Sequence, residues 1–330
     1  MKGPNNAKLI VLHPSLHKGC GGGGGGGGGS FLVSIHRLWV IAFVSFSALA
    51  SLLLTLLSRH PAHRLPPHPA MPMPMPGGSS SCQPALSPVV FDALLHYAAS
   101  ASASANSSGG RMAEADLRAA AGVVWRRAPC NLLVFGLGAE TPLWRALNAG
   151  GRTVFLDENE YYVAHMESLL PGLEAYDVAF ASYARARDLG RLLSVARAAR
   201  AAECRPVQDL LFSDCPLALN DLPNHLYDVA WDVILVDGPR GNDPAAPGRM
   251  APIFSAAVMA RSRKGKDADV LVHDYDREVE RACSQEFLCE QNRAAATSTP
   301  TLAHFVIRAA AATAAAGTGA FCTNSTAPSF

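Results

Sequence analysis

Two glycines and two carboxylates, spaced as a nucleoside-binding turn requires, are the strongest candidates for chemistry in this chain. The apolar run Leu132-Leu133-Val134-Phe135 is followed at once by Gly136-Leu137-Gly138. Glycine at 136 and 138 permits backbone angles and a close ligand approach that a Cβ would forbid. Thr141 and Pro142 then read as the N-cap and first residue of a helix whose amides aim at the ligand. A second run, Thr153-Val154-Phe155-Leu156, ends about twenty residues on in Asp157 and Glu158, where a carboxylate accepts hydrogen bonds from both hydroxyls of a ribose. Gly136, Gly138, Asp157 and Glu158 are therefore the cofactor-binding candidates.

What the turn lacks narrows the cofactor. A dinucleotide fingerprint needs a third glycine three residues after the second, and Thr141 stands there. No G-x-x-x-x-G-K-[ST] run supports a phosphate-cradling loop. S-adenosylmethionine, with a ribose and an adenine but no phosphate, fits better.

Two further strand-like runs end in polar residues. Trp231 to Val236 ends in Asp237-Gly238-Pro239-Arg240, and Asp269 to Val272 ends in His273-Asp274-Tyr275. Ligands of open α/β sheets bind beyond the carboxyl ends of strands, so Gly136, Asp157, Asp237, His273 and Asp274 should converge on one crevice. Methyl transfer to a hydroxyl needs the acceptor aligned and its proton removed. Asp237 or His273 is placed to be the base; alternatively Asp237 and Asp274 hold a divalent metal that lowers the hydroxyl pKa, with His273 beside them. Arg240 and Arg249 flank a Gly/Pro-rich loop that reads as a substrate lid, and their guanidinium groups suit a uronic-acid carboxylate. Tyr161 and Tyr162 offer rings to adenine or a sugar face, or to the core.

The elements that must position these residues alternate. Helical patterns at 159–170 and 183–202 flank a strand at 175–180, which gives a βαβα order. The expected fold class is α/β: a Rossmann-like parallel sheet of the S-adenosylmethionine methyltransferase type, with helices on both faces, preceded by one transmembrane helix. Ala98 to Ser108, rich in serine and alanine, reads as a loop.

The 330 residues divide by composition. Residues 1–37 form a tail with the glycine run Gly21 to Gly29, and 38–58 carry no charge over a length that spans a bilayer. Lys2, Lys8, Lys18 and Arg37 precede that run without an acid, so the tail should stay cytosolic and the remainder face a lumen. A cleaved signal peptide would use Ala48-Leu49-Ala50, but the apolar run continues through Leu52 to Leu57, which favours an uncleaved signal-anchor. Residues 59–88 are a Pro-rich stem, 89–308 the folded domain, and 309–330 an Ala-rich tail. A formal net charge of +1 gives no bias toward nucleic acid. Of eight cysteines, Cys204 with Cys215 and Cys283 with Cys289 are reasonable local bridges. Asn106-Ser107-Ser108 and Asn324-Ser325-Thr326 match the glycan acceptor pattern.

Taken together, Cys130 to Gly138, Gly151 to Phe155, Asp232 to Asp237, Ala246 to Met250 and Val272-His273-Asp274 resemble the plant polysaccharide-biosynthesis domain family of the glucuronoxylan 4-O-methyltransferase type. The likeness covers about Val89 to Arg308. Asp157-Glu158-Asn159, Cys204 to Gln208, Phe212 to Cys215 and Leu219 to His225 are similar to its irregular-xylem-15-like branch. The resemblance implies a single-pass type II protein of the Golgi membrane that acts in xylan biosynthesis for secondary walls. Its implied partners are xylan or glucuronoxylan and other Golgi xylan-synthesis proteins. Two roles follow from it: an S-adenosylmethionine-dependent O-methyltransferase on glucuronoxylan, or a non-catalytic accessory or scaffold. Departures at Gly238-Pro239-Arg240 and at Asp276-Arg277-Glu278-Val279 imply an acceptor pocket that differs from that of the methyltransferases.

Overall fold

Apolar strands that alternate their side chains between two helical layers build the frame of the site. The computed structural model describes residues 86–104, 112–263, 265–310, 315 and 319–322. The expected membrane span at 38–58, the glycine run, nearly all of the stem, and Asn106 and Asn324 lie outside them. Among the described residues no helix is long and apolar enough to cross a membrane.

Helices α1 (Pro88–Ser104) and α2 (Glu114–Arg127) lead into β1 (Asn131–Phe135), α3 (Thr141–Leu147), β2 (Arg152–Asp157), α4 (Glu160–Leu169) and β3 (Glu174–Asp177). There follow α5 (Phe180–Tyr183), α6 (Leu189–Ala198), β4 (Val233–Val236), α7 (Met250–Ser262), β5 (Ala268–His273), α8 (Glu278–Phe287) and β6 (Leu302–Ile307). The strand order is β3-β2-β1-β4-β5-β6. The first five strands pair in parallel, whereas β6 runs antiparallel to β5. The sheet is thus mixed, which corrects the all-parallel expectation. Residues 288–301 between α8 and β6 carry no tight-turn or strand signal that would announce an antiparallel return, and β6 escaped the alternation argument for that reason.

Side-chain alternation on the strands feeds two cores. Leu133, Phe135, Ile234, Val236, Val270 and Val272 pack with α6, α7 and α8; Leu132, Val134, Val233, Leu235 and Leu271 pack with α1 to α4. Helices cover both faces, as a mostly parallel sheet demands. The Ser/Ala-rich stretch read as a loop from Ala98 is helical through Ser104. Alanine is the best helix former, and Ala98, Leu95 and Phe91 are buried from this helix, with the Phe91 ring stacked on Trp125 at 4.6 Å.

Cys204 and Cys215 are bridged as expected, but Cys289 pairs with Cys322, not Cys283. Cys283 points from α8 into the core and is a free thiol, whose pKa burial raises. The bridge to Cys322 also fastens part of the Ala-rich tail to the domain. Phe321 joins Phe254 and Phe287 in an aromatic cluster and lies under the guanidinium of Arg261, 5.1 Å from its ring centre.

Candidate cofactor site

Strand order reverses between β1 and β4, and such switch points are where open α/β sheets leave a crevice. A cleft of about 910 Å³ opens there, lined from the ends of β1, β2, β3 and β4. Its volume lies within the range of small-molecule sites. Gly136, Gly138, Asp157, Glu158, Asp237, Arg240 and Arg249 all contribute to its wall; His273 and Asp274 do not.

The glycine turn is shaped by contact with the next strand. Gly136 has φ of 109°, a left-handed angle that favours glycine, and a Cβ there would sit 3.1 Å from the Gly238 nitrogen. The reverse approach is tighter, since a Cβ on Gly238 would meet Gly136 Cα at 2.8 Å. Thr141 is not the helix cap expected for it. Its Oγ1 accepts from the Gly138 N–H at 3.1 Å and closes the turn, while Glu140 occupies the capping position. With only seven residues, α3 offers little helix dipole to a ligand.

The two acids after β2 divide their labour. Asp157 Oδ2 accepts from the Leu137 N–H at 2.9 Å and Oδ1 from the Asn159 N–H at 3.0 Å, so this carboxylate ties the glycine turn to the strand end. Glu158 Oε2 is buried without a hydrogen-bond partner. Burial, and then the Asp157 charge, push the Glu158 pKa up, against the opposing pull of Arg240. A buried acceptor left empty costs free energy until a donor arrives. Asn159 caps α4 by accepting from the Tyr161 and Tyr162 N–H groups, both at 3.1 Å, which fixes the exposed Tyr161 ring at the rim and the half-buried Tyr162 in the wall.

Charge in the wall is one-sided. Six carboxylates, Glu140, Asp157, Glu158, Glu160, Asp177 and Asp237, face two guanidinium groups. One of the two is already spent. Arg249 is 2 % exposed and donates to the carbonyls of Pro239, Asp237 and His273 at 2.7 to 2.8 Å, with Asp274 Oδ2 at 2.9 Å. It is a staple for three loops, and few of its donors remain for a substrate carboxylate. Arg240 is exposed and free of any described ion pair.

His273 lies behind the cleft wall, 2 % exposed, and its Nδ1 is 2.7 Å from Asp237 Oδ1. Burial lowers its pKa, but the hydrogen bond and charge of Asp237, with the Asp274 charge, outweigh that and leave it raised. It can hold Asp237 in place, whereas direct contact with a ligand in the cleft is blocked by its burial. Asp274, at φ 58°, is engaged by Arg249 and by Arg277 at 3.0 Å. Two guanidinium groups on one carboxylate leave no charge for a cation, and among the described residues no group of three or more His, Cys, Asp or Glu could hold a metal ion. The divalent-metal expectation at Asp237 and Asp274 is corrected accordingly.

The lid expectation also changes. Ala186 N–H donates to Ala246 O at 3.1 Å, Arg187 N–H to Pro244 O at 3.0 Å, and Gly248 N–H to Ala184 O at 3.0 Å, so the second half of the loop is pinned to the segment after α5. Sequence reasoning missed Asp116. It is 1 % exposed on α2, takes the Thr301 hydroxyl at 2.5 Å and that of Thr299, and lies 3.7 Å from His273 Nε2. Its signal was present: Asp116 occupies the apolar stripe of Leu117, Ala120 and Val124, where an acid must be paired.

Known proteins bear on this geometry. The family model described as IRX15/IRX15L/GXM matches residues 115–305. The chain is 45% identical to Protein IRREGULAR XYLEM 15 of Arabidopsis thaliana over 92% of this chain and 91% of that protein. It is 44% identical to Glucuronoxylan 4-O-methyltransferase 1 of the same plant, over 51% of this chain and 58% of that protein. A solved methyltransferase-like protein from Silicibacter pomeroyi covers 58% of this chain and 85% of its own, at 17% identity and a TM-score of 0.31. On the family match and the long, 45%-identical relative, the chain belongs to the IRX15/IRX15L/GXM family.

Proposed function

We propose that this protein is an S-adenosylmethionine-dependent O-methyltransferase acting on glucuronoxylan during xylan biosynthesis. The observation that carries this reading is the unpartnered Glu158 oxygen in an acid-lined cleft at the switch point of the sheet. A ribose hydroxyl satisfies that acceptor, and a wall of six carboxylates suits a cationic sulfonium while repelling the phosphates of a dinucleotide. The open cleft also disfavours an accessory role without chemistry, for which side chains would fill the crevice. The relative Glucuronoxylan 4-O-methyltransferase 1 suggests the acceptor, glucuronoxylan.

The residues take defined parts. Gly136, Gly138 and Asp157 shape the turn, Glu158 takes the ribose, and the Tyr161 ring covers the adenine or a sugar. When bound, S-adenosylmethionine supplies the methyl group. Asp237, at the cleft wall with His273 behind it, accepts the proton of the acceptor hydroxyl, and the buried imidazole holds that carboxylate in one orientation. The exposed Arg240 meets the uronic carboxylate. The two disulfides suit an oxidising compartment, which supports a lumenal domain held at the Golgi membrane by residues 38–58, where other xylan-synthesis proteins would be its partners.

Calorimetric titration with S-adenosylmethionine tests the reading. The wild-type chain binds saturably, and Glu158→Gln weakens binding about tenfold, as expected for a charge-assisted hydrogen bond. A well-folded wild type that shows no binding would reject it.

A further inference from the structure

The cleft explains where a cationic cofactor sits but poses a difficulty for a polyanionic acceptor. A glycan that carries carboxylates along its length is repelled by the acidic wall everywhere except at Arg240. The polymer needs a cationic surface outside the cleft to hold the units on either side of the reacting one.

Such a surface is built by the ladder that pins the loop. Arg185 forms an antiparallel bridge with Pro247, and the Arg187 N–H donates to Pro244 O at 3.0 Å. These contacts bring the segment after α5 that carries Arg185 and Arg187 against the second half of the loop whose first half carries Arg240. The approach depends on Gly248, where a Cβ would stand 3.1 Å from the Ala186 nitrogen. All three arginines are exposed, and none is in an ion pair with a described residue. Their cationic neighbours are matched: Arg191 with Asp188 at 3.5 Å, and Arg249 and Arg277 with Asp274. Of the nearby acids, Asp188 faces Arg191, and Asp243 keeps its charge while its Oδ1 accepts from the Ala245 N–H at 2.7 Å, which leaves three unpaired guanidinium groups against one carboxylate.

We infer that Arg185, Arg187 and Arg240 form a binding ridge beside the cleft for a carboxylate-bearing stretch of a polysaccharide chain. The inference rests on the proposed glycan acceptor and adds the surface that holds it. Opposite charges in cleft and ridge sort the two ligands: the sulfonium is drawn inward, and the glycan carboxylates are kept outward. One uronic acid would engage one guanidinium, whereas a row of them engages a polymer, so short acidic oligosaccharides should bind more weakly than the chain.

The test measures binding of the purified full chain to glucuronic-acid-bearing xylan and to the same polymer after its carboxyls are reduced to alcohols. Arg185→Gln/Arg187→Gln should bind the acidic polymer about three- to tenfold more weakly, as the loss of two exposed charge contacts predicts, and the neutral polymer unchanged. Arg185→Lys/Arg187→Lys should retain most of the binding. Unchanged affinity for the acidic polymer in the Gln variant overturns the inference, and so does an equal loss on the neutral polymer. Wild-type preference for an inorganic polyphosphate over the acidic xylan overturns the assignment to a glycan. The same samples titrated with S-adenosylmethionine keep the two readings apart: charge-dependent xylan binding without cofactor binding would reject the methyltransferase and leave the ridge standing.

Discussion

At the carboxyl ends of β1 and β2, polar groups face an open cleft; at the carboxyl end of β5, the same residue types are bonded to one another. Neither Glu158 Oε2 nor Asp274 Oδ2 accepts an aligned hydrogen bond, but Asp274 Oδ2 lies at 2.9 and 3.0 Å from two guanidinium groups, whereas Glu158 has no ion pair with a described residue; His273 meets Asp237, with Asp116 nearby. An aspartate, a histidine and an arginine at strand ends look alike in sequence. What separates a ligand-binding group from a brace is whether the surrounding elements leave it a free valence.

The comparison can be broken by removing a brace. Arg249→Met should have the largest effect, a loss of about 3–5 kcal/mol in chemical denaturation, because Asp274 and the nearby Glu280 would keep buried charge with one partner fewer. A near-neutral result would mean that Arg249 is free to serve a substrate after all. Next in size is Gly238→Ala. Its Cβ would strike Gly136 backbone, and such overpacking costs about 1–3 kcal/mol, with cofactor affinity falling alongside stability.

The His273 pair gives a smaller, pH-dependent signature. Its folded pKa is raised, so the imidazolium contributes stability in full below its unfolded value of about 6.5 and loses it as pH climbs through the higher folded value. Melting temperatures of the wild type should therefore fall more than those of His273→Gln between mildly acidic and alkaline pH. Parallel curves would remove the ion pair from the account. Smallest, and of opposite sign, is Gly190→Ala on α6. Nothing lies within 4 Å of the added Cβ, and the gain should be about 0.5–1 kcal/mol in thermal unfolding.

Much of this was legible beforehand. Apolar runs that end in Gly136, Asp157, Asp237 and His273 named four of the sheet's strands and the side on which a site opens, since strand ends and glycine turns are local features. The lining of the cleft by Gly136, Gly138, Glu158 and Arg240 agrees with that pattern. The roles of Arg249 and Asp274 were illegible, because they depend on which carbonyls and guanidinium groups meet after folding. Cys322 could not be matched with Cys289 from spacing either, since 33 residues separate them and Cys283 stands much nearer in sequence.

The sequence by itself determined the strands that end in Gly136, Asp157, Asp237 and His273, the glycine turn and the acidic strand end, because each is written in backbone preference and side-chain period within a few residues. Only the tertiary structure decided which charges are spent and which are left for a ligand. That is a matter of distance and desolvation between residues far apart in the chain: Asp116 beside His273, Arg249 beside Asp274, and Arg185 beside Pro247.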